Sequence, residues 1–337
     1  MCPMPATRLV YVDDAMPGIS RKKLKHGWGY YDPAGSRITD RGEIARLNTI
    51  ALPPAYENCW FCPLPHGHLL ATGHDARGRK QYRYHPDFRA IREAEKFETC
   101  ARFGRALPGL RARIETDLNR RKLSRERCIA AVVRLLDLGK VRIGNECYAR
   151  SNGSFGATTL RRRHVDVDGR AMRLRFRAKS GKQRDLMLSD GLLLRFVRAV
   201  QDLGGQHLFQ FVDEDGSCQP VSSSEVNSYI AQAMGDDFTA KNFRTWAASA
   251  LAFEKLAQGH ISLKAMLEAV AGELGNTPAI SRKSYVHPAL IDLAKGDQDG
   301  WRENLRLPRK TRFLSRFERG LIALLDDLDT KWLPIAA

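Results

Sequence analysis

Residues 164–188, HVDVDGRAMRLRFRAKSGKQRDLML, interrupt a sequence otherwise patterned for helices, and they constrain the fold more than any other stretch. Two turn signals, Asp168-Gly169 and Ser180-Gly181, bracket a strict alternation. Arg173, Arg175, Arg177 and Lys179 alternate with Leu174, Phe176 and Ala178. A period of two sets the four cations on one face of a strand and the apolar residues on the other. Seven of the fifteen residues from 170 to 184 are basic and none is acidic. A solvated edge strand also favours charge. A stripe of one sign repels itself unless an anion lies along it, so phosphate contact is the expected use.

Around this hairpin the chain reads as helices. SRERCIAAVVRLLDLG carries Ile129, Val132, Val133 and Leu136 on one face, with Ser124 as cap and Gly139 as stop. SSSEVNSYIAQAMG opens on the capping box Ser222-x-x-Glu225. TAKNFRTWAASALAFEKL follows Thr239, and SLKAMLEAVAGELG ends at Gly275. The tail from 311 to 330 is amphipathic through Phe313, Phe317, Leu321, Leu324 and Leu328. Residues 1–90 differ: they are rich in Gly, Pro and aromatics. A hairpin is expected around Pro33-Ala34-Gly35, a brief helix over DRGEIARLN, and short strands between Cys59 and Tyr84. The boundary is expected at 86–92, giving a β-rich domain over 1–90 and a mainly helical one over 91–337.

The chain has 337 residues and a formal charge of +17, which points to a polyanionic partner, above all nucleic acid. Both parts share it: 13 basic against 8 acidic residues up to 90, then 42 against 30. A partner could therefore be gripped from two sides. No apolar run is long enough to span a bilayer, and no basic amphipathic anchor is evident. MCPMPATRLVYVDDAMPG lacks a signal peptide's apolar core, so an intracellular protein is expected. Seven scattered cysteines argue against a disulfide framework. CWFCPLPHGH does place Cys59, Cys62, His66 and His68 together, but only three residues separate the pairs. With Pro63, Pro65 and Gly67 in turn positions, a β-hairpin fits better than a metal site.

No G-x-x-x-x-G-K-[ST] motif is present, and the acidic DEDG at 213–216 sits in turn-like sequence. Phosphate chemistry would therefore run on cations. TPAISRKSYVHP, residues 277–288, offers a nucleophile: Thr277-Pro278 starts a short helix, Pro288 stops it, and Tyr285 follows Arg282 and Lys283. A free phenol is only about 0.1% ionised at neutral pH. Attack on a phosphodiester would need cations that favour the phenolate and the charge developing on phosphorus. Arginine suits this because its fork pairs two phosphate oxygens. A lysine could protonate the departing sugar oxygen. The candidates are Arg142, Lys179, Lys241, Arg244, Asn276 and Tyr285, with Lys241 and Arg244 three apart on one helix face. Composition alone would not select them from ordinary surface ions.

In this order and spacing the series resembles the type IB DNA topoisomerases, specifically the short poxvirus-like bacterial branch. The likeness is carried by GWGYYDP from 27, GRKQYRY at 78–84, RIGNECYARSNGSFGATTLRRRHV at 142–165, DFTAKNFRTW at 237–246 and LGNTPAISRKSYVHP at 274–288. The tail beyond about 300 carries no recognisable part of it.

The resemblance implies an α+β fold: a small β-rich N-terminal domain plus a larger, mainly α-helical catalytic domain holding a three-stranded antiparallel sheet. The two would close as a clamp around duplex DNA. It implies a monomeric, ATP-independent enzyme, cytoplasmic and nucleoid-associated, that relaxes supercoils without cofactor, nucleotide or required metal. Tyr285 would form a 3′-phosphotyrosyl link, Arg142 and Arg244 would hold the scissile phosphate, and Lys179 would protonate the leaving oxygen in preference to Lys182. Lys241 matches an accessory lysine. Gln81, Tyr82, Tyr84 and Tyr148 match DNA-contacting positions, with Arg173, Arg175 and Arg177 adding phosphate contacts. Two departures stand out: Asn276 where poxvirus members carry histidine, and Ala178 where glycine often precedes the lysine. No residue presents itself as the base for Tyr285.

Two rivals share these features. Tyrosine recombinases use the same nucleophile and arginines but usually carry histidine where KNFR has Lys241, and many have a helical arm-binding domain. A non-catalytic duplex-DNA clamp would keep the charges and lose the chemistry.

Overall fold

A computed structural model describes residues 9–235 and 238–332. Residues 1–8, which begin the N-terminal segment read above, and Asp237, which opens the DFTAKNFRTW motif, lie outside the described residues. The chain divides into two compact units, Met1–Glu95 and Lys96–Ala337.

The first unit is a five-stranded antiparallel sheet with one helix. In chain order it runs β1 (Ile19–Lys23), β2 (Trp28–Tyr31), α1 (Arg41–Thr49), β3 (Glu57–Phe61), β4 (Leu69–His74) and β5 (Lys80–Tyr84). The strand order β2-β1-β3-β4-β5 leaves β5 at an edge. Asp40 caps α1 by accepting from the Glu43 amide, which fixes the start of the expected helix. The turn at Pro33-Ala34-Gly35 forms, closed by Asp32 N–H donating to the Ser36 carbonyl at 2.9 Å, but its returning arm adds only the bridge Tyr31–Arg37. Cys59 and the following residues form the β3–β4 hairpin. Ile19, Tyr30, Leu47, Leu52, Phe61 and Ala71 make the core.

α2 (Pro86–Leu118) leads into the second unit, which continues with α3 (Arg125–Gly139) and α4 (Glu146–Asn152). Next come β6 (Val165–Asp168), β7 (Ala171–Arg177), β8 (Gln183–Leu188), α5 (Gly191–Val200), β9 (Gln210–Val212) and β10 (Cys218–Pro220). The rest is helical: α6 (Ser223–Met234), α7 (Ala240–Gln258), α8 (Leu263–Leu274), α9 (Pro278–Ser284), α10 (Pro288–Leu293), α11 (Gln298–Asn304) and α12 (Arg316–Trp332). The three-stranded antiparallel sheet is β6-β7-β8. The short pair β9-β10 was not expected, and its turn holds the acidic DEDG.

α3 is the centre of this unit. Besides the expected Ile129, Val132, Val133 and Leu136, it buries Cys128, Ala130, Ala131 and Leu135, and α5, α6 and α7 pack on it. A helix apolar nearly all round belongs inside a core. Ser124 caps it as expected, yet the left-handed residue ending it is Lys140 (φ 51°), one past Gly139. The capping box of Ser222 and Glu225 forms at α6, and Gly275 (φ 64°) terminates α8. Phe313 was expected on the tail helix but precedes it, because α12 begins only at Arg316.

The hairpin corrects the argument from charge. Arg173, Arg175 and Arg177 do face outward while Leu174 and Phe176 are buried. The register, however, sets Asp166 opposite Arg173 and Asp185 opposite Arg175, and diagonal ion pairs form from Arg173 to Asp185 (2.5 Å) and from Arg175 to Asp166. The anion along the stripe is thus partly the protein's own, drawn from strands just outside the residues counted. Arg177 has no carboxylate partner among the described residues.

Candidate active site

The β7–β8 turn sets the first candidate. Ser180 (φ 63°) and Gly181 (φ 74°) both take positive φ, as a tight hairpin turn demands, and the amide of Ala178 donates to the Lys182 carbonyl at 2.7 Å. Lys179 stands at the tip of this turn, exposed.

Two helix ends supply the next group. Lys140 turns the chain back at the end of α3, so that Arg142 lies in a loop braced by Gly156 and by Ala157 N–H donating to the Arg142 carbonyl at 2.8 Å. At the end of α8, Gly275 lets the amide of Asn276 return to the Ala271 carbonyl at 2.9 Å. Arg142 Nη2 then donates to Asn276 Oδ1 across a long 3.4 Å.

Arg244 projects from the first turns of α7 and is only 4% exposed. Its guanidinium bridges the same two helix ends, donating to the Lys140 carbonyl and to the Leu274 carbonyl, the latter at 3.0 Å. Helix C-termini carry partial negative charge, which offsets the crowding of cations. Crowding still shows: burial first, then Arg142 and Arg184, push the Arg244 guanidinium down to about 10, against the pull of Tyr285.

Tyr285 caps the C-terminus of α9 rather than lying within it (φ −135°, ψ −40°). Its main chain is held on three sides: Lys96 Nζ donates to the Ser284 carbonyl at 2.8 Å, and the buried Ser249 hydroxyl donates to the Tyr285 carbonyl at 3.3 Å while accepting from His287 N–H at 3.1 Å. Arg244 lies over the phenol ring, 5.0 Å from its centroid. Burial pushes the phenol up, but the charges of Arg244, Arg142 and Lys179 outweigh it, and the net effect is a hydroxyl more acidic than a free tyrosine.

These residues share one cavity of about 370 Å³, lined by Arg142, Lys179, Lys182, Arg184, Arg244, Asn276 and Tyr285 among others. Two of these lining residues, Arg244 and Asn276, each hold a buried N–H group, Nε and Nδ2, without a partner among the described residues. A buried unpaired donor costs about 1–3 kcal/mol, so an anion's oxygens would be stabilised here. The arrangement suits binding a phosphate among fixed cations beside an acidified phenol.

The structure therefore gathers Tyr285, Arg142, Lys179, Arg244 and Asn276 but not every candidate. Lys241 was expected to share a face with Arg244; it is exposed while Arg244 is buried, and it does not line the cavity. Three residues along a helix turn the side chain by about 60° from alignment, enough here to separate core from solvent. Arg282 and Lys283 also face solvent. Tyr148 is exposed on α4. In the first unit, Tyr82 is exposed on edge strand β5 and stacks on Tyr84 at 6.0 Å, while Gln81 donates to Asp75 at 3.0 Å. Sequence reasoning passed over Arg184; its signal was parity, since it alternates in phase with Leu186 and Leu188. Among the described residues, no three His, Cys, Asp or Glu gather as metal ligands, and no helix is long and apolar enough to cross a membrane.

A small β-rich unit is joined to a helical unit that carries a tyrosine-centred cationic cavity, and comparison with known proteins gives this arrangement a family. Residues 85–289 match the family described as the catalytic core of eukaryotic DNA topoisomerase I, and residues 27–75 match the N-terminal domain of bacterial DNA topoisomerase IB. DNA topoisomerase 1B of Acanthamoeba polyphaga mimivirus is 30% identical over 300 residues, covering 84% of this chain and 89% of that one. The vaccinia virus (strain Copenhagen) DNA topoisomerase 1B is 20% identical, covering 71% of this chain and 76% of that one. DNA topoisomerase 1 of Mycosarcoma maydis shows 24% identity over 57% of this chain, but over only 20% of its own length. The chain belongs to the type IB DNA topoisomerases, in the poxvirus-like bacterial branch.

Proposed function

We propose that this enzyme relaxes supercoiled duplex DNA without ATP, through a 3′-phosphotyrosyl intermediate on Tyr285. Tyr285 loses its phenolic proton to water, the phenolate oxygen attacks the scissile phosphorus, and the bond to the 5′ oxygen breaks. Lys179 gives that oxygen its proton, freeing a 5′-hydroxyl. Arg142 and Arg244 hold the non-bridging oxygens, Arg244 through its unpartnered Nε, and Asn276 donates a neutral hydrogen bond through Nδ2. Resealing is the same exchange reversed. One phosphoester replaces another, so no nucleotide is needed to restore the strand. Gln81, Tyr82, Tyr84, Tyr148, Lys241 and the outward arginines of β7 bind the duplex as the two domains, 1–90 and 91–337, close around it, and the enzyme works as a monomer.

The observation that carries this reading is the convergence of an acidified phenol, two arginines, a lysine and an unpaired amide on one cavity. The test is plasmid relaxation in EDTA without ATP, with denaturing capture of the protein on a suicide duplex and peptide mapping of the joined residue. Relaxation and a 3′ adduct on Tyr285 are expected. Tyr285→Phe should lose both while binding duplex with an unchanged salt slope, because the contacts to phosphate come from Lys and Arg. An adduct on another residue or at the 5′ end refutes the assignment. Strand exchange between paired sites would make it a recombinase, and binding with no adduct a clamp without chemistry.

A further inference from the structure

β8 alternates outward Gln183, Asp185 and Met187 with inward Arg184, Leu186 and Leu188. An arginine in phase with the core leucines of a strand is costly unless its charge is met. No carboxylate forms an ion pair with it among the described residues; the nearby Glu273 side chain pairs with Lys140 instead, at 2.5 Å. The Arg184 guanidinium spans two helix ends. Nη2 donates to the Glu273 carbonyl at 3.0 Å and to the Gly139 carbonyl at 3.4 Å, and Nη1 reaches the Gly272 carbonyl at 3.5 Å. These belong to the ends of α8 and α3, the same two ends that Arg244 ties from its own side.

The fit against the α8 turn is tight. A Cβ built on Gly275 would lie 2.7 Å from Arg184 Nη1 and 2.8 Å from its Cδ. Arg184 is thus packed directly beneath the Gly275-Asn276 turn, and it lines the cavity. Asn276 and Arg142, the residues that touch each other across that cavity, leave from the two ends it joins.

We propose that Arg184 is a positioning residue of DNA cleavage and resealing: it locks the ends of α3 and α8 together, so that Arg142 and Asn276 meet the scissile phosphate in register, and keeps a fixed positive charge beside them. This rests on the reading of Tyr285 as nucleophile. Lysine at this position can keep the charge and one carbonyl bond but not the fork across two helix ends. Because the group acts on a phosphate that passes through one transition state in both directions, its loss slows cleavage and resealing alike.

The experiment measures single-turnover cleavage of a suicide duplex, resealing by an added 5′-hydroxyl strand, and duplex affinity, for Arg184→Gln, Arg184→Lys, Asn276→Ala and the double variant Arg184→Gln/Asn276→Ala. Expected is a fall of tenfold or more in both rates for Arg184→Gln, with duplex affinity within threefold of the parent and the covalent fraction at equilibrium unchanged. Arg184→Lys should recover part of the rate. The double variant should be less impaired than the product of the two single losses, since both act through the α8 turn. Cleavage within twofold of the parent for Arg184→Gln overturns the proposal, as does an Arg184→Lys enzyme no faster than Arg184→Gln, or full multiplicative loss in the double variant. If Arg184→Gln shows no cooperative melt, Arg184→Lys, the smaller perturbation, decides: a parental rate refutes the need for the fork, and a reduced rate with parental affinity upholds it. Failure of the parent itself to form an adduct on Tyr285 would sink the underlying reading instead.

Discussion

Gly156→Ala should disable the enzyme from outside the cavity. Gly156 has extended backbone (φ −148°, ψ −177°), which alanine adopts freely, so conformational preference does not protect the glycine. Space does: a Cβ there would lie 2.5 Å from the Arg142 carbonyl oxygen, 2.5 Å from the Gly144 nitrogen and 2.6 Å from the Gly144 Cα. All three are main-chain atoms of the loop that carries Arg142. Comfortable heavy-atom contact begins at about 3.5 Å, so that loop must retreat by roughly 1 Å. The hydrogen bonds from Ala157 N–H to the Arg142 carbonyl and from Thr158 N–H to the Ile143 carbonyl, both 2.8 Å, would stretch with it. Overpacking of this kind costs about 1–3 kcal/mol of stability. A displacement near 1 Å at a reacting centre costs on the order of 100-fold in rate. Single-turnover cleavage should accordingly fall by about two orders of magnitude while duplex affinity, spread over many cations, changes little. A Gly156→Ala enzyme that folds and cleaves at the parental rate would refute the claim that this loop rigidly positions Arg142.

Asp166→Asn and Asp185→Asn release Arg175 and Arg173 from their ion pairs, so each should tighten duplex binding. Each should also steepen the plot of log affinity against log salt by about 0.9 per new phosphate contact; an unchanged slope would show that β7 does not meet DNA. Cleavage rate should rise with pH and level off below the ordinary phenol range, because the surrounding cations favour the Tyr285 phenolate. Arg244→Ala should move that rise toward alkaline pH in the same single-turnover assay. His164 and His287 are both held down to about 4, by burial first and, for His164, also by Arg163 and Arg161. The unfolded chain binds these protons near pH 6.5, at about the ordinary histidine value, so stability is complete above that and lost as pH falls through 4. Thermal melts across this window should fall with acid, and His287→Asn, which keeps a cap for α10, should flatten the decline.

The boundaries of helices were legible wherever a cap announced them, as at Ser124, Ser222, Thr277 and Gly275, because capping is a local matter of satisfying end groups. The cavity was legible only through the resemblance, since nothing local links Arg142 to Tyr285. Two errors had a common origin. The cation stripe was judged along one strand, when charge balance in a sheet is settled by neighbouring strands through Asp166 and Asp185. Lys241 and Arg244 were placed together by helical spacing, when burial separates them. Arg184 escaped notice for the converse reason: on an isolated strand an inward arginine looks like noise, and only the carbonyls of two remote helix ends explain it.

The groups around Tyr285 come from a loop after α3, a hairpin tip, the start of α7 and the end of α8, four separate stretches of the chain that only the folded core brings to one cavity. Excess positive charge, by contrast, is present in both parts of this chain, up to residue 90 and beyond it. If Tyr285 is the nucleophile, a copy whose core has not closed would keep its attraction for a polyanion but lack the assembled site. On that reading, strand breakage would be confined to completely folded molecules, a safeguard that needs no inhibitor.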